Sequence, residues 1–133
     1  MSNQETGTWD ERVARIWADA PNTPDDELLR KIETIAAERA DDDPAALYEL
    51  GSVHDSVGSE HDAEPYYRRA LAGNLDRRRR PQTIIQLAST LRNLGQLEES
   101  AALLTAMSDA GPDPVVGDAG TAFLALVLID LGR

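Results

Sequence analysis

Apolar side chains recur at helical spacing along almost the whole chain. In TWDERVARIWADA, Trp9, Val13, Ile16 and Trp17 fall at i, i+4, i+7 and i+8, one face of a helix. PNTPDDELLRKIETIAAERA follows, with a stripe of Leu28, Leu29, Ile32, Ile35 and Ala36. It opens on start signals: Thr23 as a cap, Pro24 at the first position and acidic residues in the first turn. DDDP at 41–44 ends that helix and begins the next. Three later stretches then line up: GSVHDSVG (51–58), ASTLRNLG (88–95) and ALVLIDLG (125–132). Each follows a leucine and ends in glycine, and the spacing is 37 residues both times.

Each copy reads as a helix that stops at its glycine, where a left-handed turn meets no Cβ. Leu47, Leu50, Gly51 and His54 share one face of the first copy, with Ile84, Leu87, Ala88 and Leu91 in the second and Thr121, Leu124, Ala125 and Leu128 in the third. The small residue in the middle of that face admits a close neighbour. A second helix follows each of the first two glycines. Its apolar stripe is Ala63, Tyr66, Tyr67, Ala70 and Leu71 after Gly58, and Leu97, Ser100, Ala101, Leu104 and Met107 after Gly95. Ser59, with Asp62 three residues on, is the expected cap of the former. Pro65 disturbs it, since proline lacks an amide and crowds the preceding turn; either the helix starts later or it bends there.

Helix, tight turn, helix, repeated, resembles the tetratricopeptide repeat over residues 44–133. Copy one carries the family pattern as Leu47, Leu50-Gly51, His54, Gly58, Ala63, Tyr67 and Ala70; copy two as Ile84, Leu87-Ala88, Leu91, Gly95, Ser100, Leu104, Met107 and Pro112. The period exceeds the usual value of about 34 residues, and NLDRRRRP (74–81) is the natural place for the excess after copy one. The resemblance implies an all-α fold: a right-handed solenoid of antiparallel helix pairs, about seven helices in all. Residues 1–43 would form a degenerate capping pair, followed by repeats at 44–80 and 81–117 and an incomplete one at 118–133.

The resemblance also implies a non-catalytic protein-interaction module in which the first helices line a concave groove for an extended or helical peptide. Carried over by position, the groove residues are Tyr48, Ser52 and Asp55, then Ile85, Ser89, Arg92 and Asn93, with Ala122, Leu126 and Ile129 in the third copy. Arg92 and Asn93 suit a peptide carboxylate or carbonyl; alternatively Arg92 pairs with Asp55 or Asp130. The family's carboxylate clamp also uses lysines, and none lies in this groove. A signalling or regulatory role in a bacterium is in keeping with the family.

The closing stretch FLALVLIDLGR is the first helix of the third copy, apolar nearly all round. One side packs on copy two. Each large side chain left in water on the other forgoes about 1.5–3 kcal/mol of burial. A second copy of the chain, a partner protein or further chain would cover it; the alternative is that the helix stays partly exposed. The alternative function is therefore self-assembly, a homodimer formed through Phe123, Leu126 and Ile129 with no separate groove ligand.

Composition narrows the chemistry. Of 133 residues, 41% are hydrophobic but only 5% aromatic, so the core is aliphatic and suits helices. The absence of cysteine excludes disulfides and thiolate sites. Neither a membrane-length apolar run nor a signal-peptide core is present, which points to a cytoplasmic protein. The net charge of −11 is uneven: residues 1–64 hold 17 acidic and 5 basic side chains, residues 65–133 hold 7 and 8. An acidic chain of this kind repels nucleic acid and anionic membranes. Arg77-Arg78-Arg79-Arg80 has no interleaved aromatics, and reads as a solvated loop or a cluster reaching toward the acidic first half. His54 sits at a packing position, His61 in a solvated acidic stretch, and neither has metal-ligand spacing. No cofactor, metal or catalytic motif is found.

Overall fold

The computed structural model describes residues 6–133; the first five residues, part of the segment searched for a signal-peptide core, lie outside the described residues. The helices are α1 Trp9–Ala18, α2 Asp25–Ala36, α3 Pro44–Ser56, α4 Glu60–Ala72, α5 Arg79–Asn93, α6 Leu97–Asp109 and α7 Ala119–Asp130, with a 3-10 turn at Ala20–Asn22. Among the described residues there is no strand, only an isolated bridge between Asp113 and Gly117. The fold is an all-α helical repeat. No helix among the described residues is long and apolar enough to cross a membrane.

Two starts carry side-chain caps. Thr8 and Glu11 form a reciprocal capping box on α1, and the Asp43 side chain accepts from the Ala46 amide on α3, with Pro44 at the first position. The other expected caps differ. Thr23 turns its hydroxyl back to the Asp19 carbonyl at 2.7 Å, so Pro24 stands at the α2 boundary without a side-chain cap. Ser59 precedes α4 but makes no cap hydrogen bond. Of the two outcomes foreseen for Pro65, a late start is excluded, because α4 begins at Glu60 and the proline lies inside it.

The repeat glycines close α3, α5 and α7 in the same way. Gly58, Gly95 and Gly132 have φ of +87°, +83° and +77°. Behind each, the next amide reaches back to a carbonyl five residues earlier: Ser59 to His54, Gln96 to Leu91 and Arg133 to Leu128, each at 2.8 Å. That pairing is the Schellman closure, and it turns the chain sharply into whatever follows.

Consecutive helices pack in order, and α3 also meets α5 as α5 meets α7, which brings the first helices of successive repeats side by side. The small mid-face residue has a visible reason: a Cβ at Gly51 would lie 2.7 Å from the Tyr67 ring. Repeat positions Val53, Thr90 and Val127 are buried in all three copies, each at 1% exposure or less. The neighbouring position assigned to the packing face is less uniform. Leu91 is buried, but His54 is half-buried and stacks on Tyr66, with ring centroids 5.4 Å apart and planes at 11°. A flat aromatic partner at the surface, not a core, accommodates that imidazole.

The arginine run divides. Arg77, Arg78 and Arg80 are exposed, whereas Arg79 is 2% exposed. Its guanidinium donates to Glu49 at 3.0 Å, Asp76 at 2.9 Å and Asp10 at 2.9 Å. Its Cζ lies 5.4 Å from the Trp9 ring centroid. Asp76 fixes this arrangement locally: one oxygen accepts from the Arg78 and Arg79 amides while the other holds the guanidinium. Glu49 in turn accepts from the Trp17 indole at 2.8 Å. One arginine thus joins α1, α3 and α5, which is the reach toward the acidic first half foreseen as one reading of the run. The loop itself is shorter than expected, since α5 begins at Arg79.

Thr90 gives a direct test of this packing. Its hydroxyl is buried without a hydrogen-bond partner among the described residues, at a position where the other copies hold valine. Thr90→Val removes an unsatisfied polar group at constant shape, and should raise unfolding stability by about 1 kcal/mol. Urea denaturation measures it; a loss of stability contradicts the stated packing.

Candidate functional site

The inner side of the repeat holds a cavity of about 610 Å³. Its walls come from α1 (Val13 and Trp17), α3 (Tyr48, Ser52, Asp55 and Ser56) and α5 (Gln82 and Gln86), with Tyr67 of α4 contributing from behind. Helical spacing explains the arrangement. Tyr48, Ser52 and Asp55 are i, i+4 and i+7 on α3, and Gln82 and Gln86 are i and i+4 on α5, so the two rows face each other where the helices neighbour.

The rows are cross-linked by hydrogen bonds. The Tyr48 hydroxyl donates to Gln82 Oε1 and the Ser52 hydroxyl to Gln86 Oε1, each at 3.2 Å. The Gln86 amide donates to the Tyr48 hydroxyl at 3.4 Å. Tyr67, fully buried, places its hydroxyl 2.7 Å from Gln86 Oε1 and 3.0 Å from Asp55 Oδ2. These side chains are held in place by one another before any ligand arrives, which lowers the ordering cost of binding.

Of the residues expected in the groove, Tyr48, Ser52 and Asp55 line the cavity together. Ile85 and Ser89 are half-buried on α5 outside it, and Arg92 and Asn93 are engaged elsewhere. Arg92 is paired with Asp130 of α7, and the Asn93 amide donates to Glu60 of α4 at 2.7 Å. In the third copy, Phe123 is turned inward against the cluster of Ala88, Ala101, Leu104 and Val127, while Leu126 and Ile129 are 43% and 69% exposed. The reading from sequence missed Gln82, Gln86, Tyr67 and the wall from α1. The i, i+4 spacing of the two glutamines beside the apolar Ile84, Ile85 and Leu87 was the available signal, a weak one on a helix with many polar residues.

Electrostatically, Asp55 stands apart. Burial raises its carboxyl above the usual range, against the Tyr67 hydroxyl bond that lowers it. No cationic side chain pairs with it among the described residues. Burial likewise pushes the Tyr48 and Tyr67 phenols up, so both remain hydroxyl donors. No cluster of metal-ligating side chains occurs among the described residues. Asp10 and Glu49 also line the hollow but are paired with Arg79, and Arg78 stands at its edge. The arrangement offers hydroxyls, amides and the unpaired Asp55 carboxylate in a partly apolar hollow, suited to holding a polar backbone and, at Asp55, a positively charged group.

The raised Asp55 pKa has a stability consequence of definite sign. The folded chain holds that proton more tightly than the unfolded chain. The resulting stabilisation is complete below the unfolded pKa of about 3.9 and is lost as pH rises through the folded value. Asp55→Asn removes this dependence. The variant should be the more stable form at neutral pH, with the difference vanishing near pH 3. Urea midpoints at the two pH values check it; a variant less stable at neutral pH contradicts it.

Comparison with known proteins agrees with this architecture. The family described as "Tetratrico peptide repeat" matches residues 44–133. Among solved structures, the crystal structure of NprR in complex with its cognate peptide NprX superposes with a TM-score of 0.63 at 25% identity. The match covers 88% of this chain and 36% of that one, so this chain spans little more than a third of the NprR chain's length. No curated protein matches the chain. With the family pattern matched over most of its length, the chain belongs to the tetratricopeptide repeat family.

Proposed function

We propose that this chain is a non-catalytic protein-interaction module that binds a peptide in the inner cavity between α1, α3 and α5. The observation that carries the reading is the pre-formed network of Tyr48, Ser52, Tyr67, Gln82 and Gln86 around a hollow of about 610 Å³. Membership of a repeat family of interaction modules supports it, as does a similar structure that holds a cognate peptide. The glutamines and hydroxyls suit backbone amides and carbonyls, and Asp55 suits a lysine, arginine or amino terminus. Arg92 and Asn93 take a secondary place in this proposal, because each already has a carboxylate partner.

Selection of a displayed peptide library on the immobilised chain tests it. Enriched peptides should carry a basic group and should lose roughly ten-fold in affinity or more on Gln86→Ala and on Asp55→Asn. Enriched peptides that bind both variants as well as the parent would overturn the assignment.

A second reading has its own observation. Leu126 and Ile129 lie on an exposed strip of α7 together with Ala122 and Ala125. A homodimer that buries this strip would regain the forgone burial. Only Leu126 and Ile129 enter this reading, since Phe123 is packed within the chain. Light scattering on a sizing column decides it. A dimer that becomes a monomer when Leu126 and Ile129 are both changed to Glu supports self-assembly; a parent that is monomeric throughout removes it.

A further inference from the structure

A second groove lies on the side formed by the second helices of the repeats, and shares only Arg78 with the lining of the inner cavity. Its floor is apolar: Leu71 of α4, Ile84 of α5, Leu103 and Met107 of α6, and Pro112 and Val115 of the α6–α7 connection. Its volume is about 1150 Å³, above the range of roughly 300–1,000 Å³ usual for small-molecule clefts, so a peptide segment fits it better than a metabolite. Val115, one of the few large apolar side chains on the surface, is 45% exposed at this groove.

The rim is the unusual part. Arg77, Arg78 and Arg80 all border the groove, and all three are exposed. Arg80 reaches only the Leu71 carbonyl, at 3.4 Å. None of the three forms a close ion pair with a carboxylate among the described residues, although the chain carries 24 acidic side chains against 13 basic ones; Arg78 acts on Asp76 at longer range. Arg79 takes up the acids Asp76, Glu49 and Asp10, and its neighbours stay exposed. Because the three cations come from one short stretch, they lie along one edge of the groove. The loop on the other side contributes Asp113, whose carboxylate accepts from the Val115 and Val116 amides.

We propose that this groove docks an acidic amphipathic helical segment of a partner protein. Its apolar row would rest on the floor and its carboxylates along the arginine edge. An apolar floor with cations on a single side matches a helix with one apolar stripe and an acidic flank. Nucleic acid fits less well, since the floor offers aliphatic side chains in place of aromatic stacking surfaces. The proposal is independent of peptide binding in the inner cavity.

The test uses a fluorescein-labelled synthetic helix about four turns long, with leucines at i, i+3, i+4 and i+7 spacing and glutamates flanking them. Its anisotropy is titrated with the whole chain at low and high salt. Saturable, salt-sensitive binding is expected. It should weaken roughly ten-fold or more when Arg77 and Arg80 are both changed to Glu, and also on Val115→Asp. These residues are exposed, so circular dichroism should show the fold retained. Binding should be lost with lysine in place of glutamate in the probe, and unchanged by Gln86→Ala in the inner cavity. No saturable binding, equal binding of a serine-for-leucine probe, or indifference to the arginine changes overturns the proposal. So does a single-stranded oligonucleotide that competes through the same arginines, or a chain dimer that those changes dissolve, since the occupant would then be nucleic acid or a second copy.

Discussion

The guanidinium of Arg79 sits out of water between carboxylates drawn from two helices and its own loop, and the form of the inner cavity depends on it. Asp10 brings α1, Glu49 brings α3, and Asp76 sets where α5 starts. Only Glu49 is buried along with the guanidinium, Asp10 and Asp76 being exposed; removing one partner of such a buried pair leaves an uncompensated charge, a cost of about 3–5 kcal/mol, whereas a surface pair contributes about 0–1 kcal/mol. Glu49, itself 3% exposed, also accepts from Trp17 and so fixes the other end of α1. The N-terminal helix is therefore docked at both ends, and it supplies one wall of the cavity.

The remaining features follow from that docking and from the glycine-closed repeats. The Schellman closures at Gly58 and Gly95 return each second helix against its first. Gly51 lets Tyr67 approach α3 closely enough for its hydroxyl to reach Asp55 and Gln86. The same satisfaction of Arg79 leaves Arg77, Arg78 and Arg80 without a close ion pair, which gives the second groove its charged edge. The two surfaces thus differ in chemistry. The inner one offers chiefly neutral hydrogen-bonding groups and the Asp55 carboxylate, the outer one aliphatic carbon and the cations Arg77 and Arg80, with Arg78 on the boundary of both.

Much of the fold was legible because its signals are local. The leucine-to-glycine phase, the apolar stripes of α1, α2, α4 and α6, and the all-round apolar α7 each follow from spacing within one helix. What stayed hidden depends on distant partners. Four arginines in a row carry no mark of which one is buried; Asp76 and the docking of α1 select Arg79. Position in the family pattern put Arg92 and Asn93 in the groove, but it carries no information on Asp130 and Glu60, which engage them. Gln82 and Gln86 read as solvated surface until α3 is placed opposite α5. Pro65 and the idle Ser59 cap show the converse, where tertiary packing keeps a helix going against weak local signals.

Amide hydrogen exchange of α1 in the parent chain and in Arg79→Met tests most directly whether this buried charge builds the site. If the guanidinium holds α1 on the repeats, amides across Trp9–Ala18 should lose protection by roughly a hundred-fold or more, while those of α6 and α7 keep theirs. Unchanged protection of α1 would contradict the account, and would mean that the packing of Trp9, Val13 and Trp17 docks the helix without the charge cluster.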